Sequence, residues 1–123
     1  MAMYRIGKRF KFSASHRLLG LPEGHQCARL HGHNYEVEVT LEAQAIGTEG
    51  FVRDYGDLDR LKDYLSSRLD HRHLNDVLAG TAASRTTAES LAEYLYGWCQ
   101  ERWPETALVR VSETPGTWAS YGR

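Results

Sequence analysis

The chain has 123 residues, the size of one domain, and sets 15 Lys and Arg against 16 Asp and Glu for a formal net charge of −1. That balance excludes a polycation made to hold nucleic acid or an anionic membrane surface, and no apolar run approaches the roughly 20 residues that span a bilayer. The opening MAMYRIGKRFKF lacks the apolar core of a secretory signal, and Cys27 and Cys99 lie in unlike contexts, so the expectation is one cytoplasmic domain over residues 1–123 without a disulfide framework.

Residues 4–15 are rich in Phe, Tyr, Ile and Ser, and Ile6, Lys8, Phe10 and Phe12 share one face of a predicted strand. Residues 33–46 repeat the pattern more clearly: Tyr35, Val37, Val39, Leu41 and Ala43 alternate with Glu36, Glu38, Thr40 and Glu42. A period of two marks a strand with one buried and one wet face. The stretch GTEG at 47–50 reads as a turn, and Phe51-Val52-Arg53 as the start of a return strand.

Asp54 then reads as an N-cap, with Leu58, Leu61, Leu65 and Leu69 at helical spacing to about Asp70. Residues 71–85 read as a long connection. Thr86 and Glu89 have capping-box spacing, and Leu91, Leu95 and Trp98 continue a second helix toward Trp103-Pro104. Ala107, Val109, Val111 and Glu113 share one face of a late strand, with Thr117 to Tyr121 beside it. Strand, strand, helix, helix, strand, strand predicts an α+β fold: an antiparallel β-sheet with two helices on one face.

The chemistry concentrates in CARLHGHNY, residues 27–35. His31 and His33 are two apart on a strand, so their side chains point to one side. His16 closes the first strand and supplies a third nitrogen if the strands pair; three neutral imidazoles suit zinc. Cys27 is then a fourth ligand closing a structural site, a free thiol beside the metal, or a plain buried cysteine like Cys99. In LDHRHLN, Asp70 and His71 form either a carboxylate-oriented imidazole able to activate a thiol or exposed polar residues at a helix end. His25 and His73 read as structural or surface residues. Glu113 continues an apolar face, where a buried carboxylate needs partners; a heterocycle with adjacent N–H and amino groups offers two parallel donors.

Taken in order, FSASHRL, PEGHQCARLHGHNY, FVRDYGDLDRLK, LDHRHLN, TTAESLA and VSETPGTWASY resemble 6-pyruvoyltetrahydropterin synthase and its bacterial relative, 6-carboxytetrahydropterin synthase of queuosine biosynthesis. The resemblance implies that His16, His31 and His33 hold Zn2+, that Cys27 is the catalytic thiol, and that Asp70 and His71 complete its proton relay. It implies that Glu113 anchors the pterin ring, with Thr87 and Glu89 as secondary pterin contacts. The Cys27-to-His31 spacing resembles the carboxy-forming branch. Thr86 departs from a proline common in bacterial members, and Pro115 and Trp118 follow Glu113 in a tail that also differs. The family further implies a tunnelling fold assembled as a homo-hexamer of two trimers, with active sites between subunits. The implied reaction is a zinc-dependent carbon–oxygen lyase step on 7,8-dihydroneopterin triphosphate. It gives 6-carboxytetrahydropterin, acetaldehyde and triphosphate, and its rivals are a stop at the 6-pyruvoyl product or a non-catalytic zinc or pterin module.

Overall fold

The computed structural model describes residues 2–123. Strand β1 (Tyr4–His16) and strand β2 (His31–Ala43) form one antiparallel hairpin, paired without interruption from Tyr4 opposite Ala43 to His16 opposite His31. Strand β4 (Thr106–Thr114) adds antiparallel to β2, and β5 (Thr117–Gly122) adds antiparallel to β4. Between the two strand pairs come helix α1 (Asp59–Arg68), strand β3 (Arg72–His73), helix α2 (Leu74–Val77) and helix α3 (Ala88–Arg102). The sheet order is β3-β1-β2-β4-β5.

Alternation decides the layers. Phe10, Phe12 and Ala14 on β1, Tyr35 to Leu41 at every second position on β2, and Ala107, Val109 and Val111 on β4 are buried. With the sheet residues other than Ala107 they form one core with Leu58, Leu61, Leu65 and Leu69, Leu74 and Leu78, and Leu91, Leu95 and Trp103. Each fully buried leucine contributes about 1.5–3 kcal/mol of transfer free energy. On the opposite face the β2 glutamates meet β1 arginines across the pair: Arg9 Nε lies 2.6 Å from Glu38 Oε2, and Arg5 Nε 2.5 Å from Glu42 Oε2. These pairs are exposed, and each contributes little on its own.

The α+β class and strand–helix order are as expected, with four local differences. First, β3 bonds β1 in parallel at Ala14 and Ser15, so the sheet is mixed, and residues 71–85 hold β3 and α2 instead of an unstructured connection. Second, residues 51–53 form no strand; Arg53 instead makes a forked pair with Glu105, at 2.8 and 3.0 Å. Third, Asp54 caps a 3-10 turn, Tyr55–Leu58, and the α-helix starts only at Asp59. Fourth, the cap of α3 is Thr87, whose hydroxyl accepts from Ser90 N–H at 3.1 Å, and not Thr86, whose φ of +58° takes it out of capping geometry.

Beyond the two-residue β3, the outer edge of β1 meets no strand among the described residues, and neither does the outer edge of β5.

Candidate active site

The hairpin register builds the site. His16 ends β1 directly opposite His31 at the start of β2, and His33 follows on the same face. The three ring centroids lie 4.6, 5.0 and 4.8 Å apart, and one donor nitrogen from each ring lies within 4.8 Å of the others. Backbone carbonyls orient two of the rings. His16 Nδ1 lies 2.8 Å from the Thr86 carbonyl oxygen and His31 Nδ1 lies 2.7 Å from that of Arg29. A carbonyl only accepts, so each Nδ1 carries the proton. In neutral rings both Nε2 atoms then present lone pairs, yet they stand 2.9 Å apart.

Glu113 adds a further acceptor. Its Oε2 lies 3.3 Å from His16 Nε2 and 3.7 Å from His33 Nε2. Burial lowers the proton affinity of His16 and of His33, more than nearby Glu113 restores it, and so favours neutral imidazoles. A single proton satisfies one pair of facing lone pairs; a divalent cation satisfies all of them. The donor set therefore fits a metal ion, and neutral imidazole nitrogen suits zinc among others. Behind the trio, Tyr35 is fully buried, and its hydroxyl has no hydrogen-bond partner among the described residues. Its ring stacks on Phe12 at 4.8 Å and meets the edge of His33 at 5.5 Å.

Cys27 sits in a 3-10 turn, Gln26–Ala28, within the loop joining β1 to β2. Its backbone N–H donates to His25 Nδ1 at 3.0 Å, and its carbonyl accepts from Leu18 N–H at 2.9 Å, which pins the loop across the hairpin mouth. The thiol is half-buried and does not belong to the cluster of converging donors. Cys99 is buried in α3, where desolvation pushes its thiol up to about 12.

Asp70 and His71 form the carboxylate–imidazole pair that their adjacency suggested, with Oδ2 2.9 Å from Nδ1. They hold β1 from its edge: Asp70 Oδ1 accepts from Ser13 N–H at 2.8 Å, and His71 N–H donates to Ser13 O at 2.6 Å. The Ser13 N–H, and then His71, hold the Asp70 carboxyl below the usual carboxylate range. The His71 side chain is 81% exposed, and no hydrogen bond among the described residues joins it to Cys27. Thr87 spends its hydroxyl on the α3 cap, and Glu89 is exposed in the first turn of that helix.

Two clefts meet at Gly32, His33 and Asn34. One, of about 480 Å³, reaches Ser13, Ser15, His71 and His73; the other, of about 540 Å³, reaches Tyr35, Arg110, Glu113 and Pro115. His73, which looked incidental in sequence, lines the first and pairs its Nδ1 with Ser15 Oγ at 3.0 Å. Tyr35, which the alternation marks as buried, is also the next same-face residue after His31 and His33. The nearness of Glu113 to the imidazoles carried no signal in the sequence, since it depends on the pairing of β2 with β4.

Fold and site together are those of an α+β enzyme with a metal-competent histidine cluster at one end of its sheet. The sequence pattern of the family described as 6-pyruvoyl tetrahydropterin synthase matches residues 5–123. A protein of Archaeoglobus fulgidus, provisionally named a 6-carboxy-5,6,7,8-tetrahydropterin synthase, is 30% identical over 118 residues, covering 96% of this chain and 95% of that one. The human 6-pyruvoyl tetrahydrobiopterin synthase is 30% identical over 124 residues, covering 87% of this chain and 81% of its own. The solved Caenorhabditis elegans 6-pyruvoyl tetrahydropterin synthase superposes with a TM-score of 0.85 at 25% identity, covering 100% of this chain and 97% of that one. The chain belongs to the 6-pyruvoyl tetrahydropterin synthase family, lyase-type enzymes that act on a small-molecule pterin. No helix among the described residues is long and apolar enough to cross a membrane.

Proposed function

We propose that this chain is a zinc-dependent 6-carboxy-5,6,7,8-tetrahydropterin synthase. In this reading it converts 7,8-dihydroneopterin triphosphate and one water to 6-carboxytetrahydropterin, acetaldehyde and triphosphate, in the cytoplasm, for queuosine or another 7-deazapurine. The observation that carries the reading is the convergence of His16, His31 and His33 with Glu113 Oε2 3.3 Å from His16 Nε2.

His16, His31 and His33 hold the zinc, which when bound supplies Lewis acidity that makes the pterin side-chain hydroxyls easier to deprotonate. Glu113 orients the ring by accepting from its N–H and amino groups, at the mouth of the cleft it shares with Tyr35 and Pro115. Cys27 moves protons along the substrate side chain, and His71, oriented by Asp70, returns them. Triphosphate departs by elimination. Thr87 and Glu89 supply secondary pterin contacts from the start of α3.

The exposed His71 imidazole and the open edges of β1 and β5 support a homo-hexamer in which Asp70 and His71 serve Cys27 of a neighbouring subunit. The four-residue step from Cys27 to His31 favours the carboxy product over the pyruvoyl product. The deciding experiment incubates the zinc-loaded protein with 7,8-dihydroneopterin triphosphate and identifies the products. Trapped acetaldehyde with 6-carboxytetrahydropterin is expected. A 6-pyruvoyl product without acetaldehyde would move the chain to the other branch, and no turnover would leave a binding module.

A further inference from the structure

Tyr35 holds a polar group that the fold does not use. Its side chain is fully buried, and its hydroxyl has no hydrogen-bond partner among the described residues. A phenylalanine there would stack on Phe12 equally well and leave no donor stranded in the core. The surroundings are those of the metal site. The ring meets the edges of His33 at 5.5 Å and His16 at 6.1 Å. Strand pairing sets Val37 opposite Val111 and Glu36 opposite Ser112, and one more step in that register brings Tyr35 beside Glu113. Both residues line one cleft. Burial first, and then the Glu113 charge, raise the Tyr35 pKa above its ordinary value, so the carboxylate acts on the hydroxyl.

Glu113 has the complementary problem. Its Oε2 faces His16 Nε2 at 3.3 Å and His33 Nε2 at 3.7 Å, where one proton can be shared. A cation on those nitrogens excludes that proton and leaves the carboxylate without a donor. We propose that Tyr35 is a positioning residue: in the cation-loaded site its hydroxyl donates to Glu113 and holds the carboxylate off the metal. This rests on the metal reading above and extends it to a residue that touches neither metal nor substrate. A carboxylate this close to two ligand nitrogens would otherwise complete the coordination, whereas a catalytic zinc site keeps one position open. A hydroxyl-to-carboxylate bond is charge-assisted and among the stronger hydrogen bonds, so one buried tyrosine suffices to hold it.

Tyr35→Phe removes the hydroxyl and keeps the ring. Zinc affinity is measured by chelator competition without substrate, and folding by thermal melting without metal. The metal-free variant should melt no lower than the native chain, because it loses only an unpaired donor. It should bind zinc about tenfold more weakly, the worth of one hydrogen bond to a charged group. In a Glu113→Ala background, Tyr35→Phe should leave zinc affinity unchanged, since the acceptor is gone. Native affinity in Tyr35→Phe, or an equal loss in both backgrounds, would overturn the proposal while sparing the metal reading. A lower metal-free melt would also overturn it, by showing that the hydroxyl is already bonded in the free fold. Failure of zinc to bind the native chain would overturn both.

Discussion

The Asp70 carboxylate accepts the Ser13 backbone N–H at 2.8 Å, so the end of α1 grips β1 three residues before the strand delivers His16. The bond is to the charged carboxylate, and it holds the folded-state pKa of Asp70 below that of an unfolded chain. Its stabilising contribution is therefore full above the ordinary carboxylate value and fades as pH falls through the folded-state value. Asp70→Asn should lower the urea midpoint near neutrality, and the gap from the native chain should close below about pH 4. A gap of constant size from pH 7 to pH 3 would show that the ionised form contributes nothing.

Zinc should raise the melting temperature of the native chain. At a hundredfold excess over Kd the linkage is about 2.7 kcal/mol, or roughly 10 °C for a domain of this size. His31 is the ligand to remove, because it is only partly buried and His31→Ala spares the core that His16 helps to fill. That variant should melt near the metal-free native chain and gain little on adding zinc. An undiminished zinc shift in His31→Ala would remove it from the ligand set.

Cys27 lies outside the converging donors, so Cys27→Ala should retain native zinc stoichiometry. Turnover should fall about 10²- to 10⁴-fold, the range lost with a positioned acid–base group. Metal analysis beside a product assay separates this from the alternative. Joint loss of zinc and activity would make the thiol a ligand.

A relay shared between subunits predicts complementation. Cys27→Ala and His71→Ala are each expected to be nearly inactive. Co-refolded in equal amounts, they should recover roughly a quarter of native activity if subunits assort at random. Mixtures no more active than their parents would place both residues in one subunit's site.

The Thr87 hydroxyl caps α3 through the Ser90 N–H. Thr87→Ala should cost about 1 kcal/mol of unfolding free energy, and Thr87→Ser almost none. Chemical denaturation of the three proteins measures this. Equal stability in all three would mean that the cap bond contributes nothing net.

What could be read from sequence was local. The period of two from Tyr35 to Ala43 names the buried face of β2 without knowledge of its neighbours, and the leucine spacing does the same for α1. His31 and His33 were placed on one side by that period, and His16 joined them because strand ends meet in a hairpin. What escaped depends on distant backbone. The two-residue β3 exists only as bonds to β1, and its residues carry no strand pattern of their own. Arg53 left the expected return strand for Glu105, far along the chain. Two adjacent threonines look equally fit to cap α3, and only the left-handed Thr86 peptide, turned toward His16, separates them.

The unbroken hairpin pairing makes metal affinity a reporter of folding. A strand shifted by a single residue turns every side chain to the other face. Such a slip of β2 against β1 would carry His31 and His33 away from His16 together, and would bury Glu36 and Glu38 where Tyr35 and Val37 belong. A misaligned hairpin therefore forfeits its core and its donor set in one step. A chain whose three imidazoles converge on one cation has, by that fact alone, aligned its first two strands.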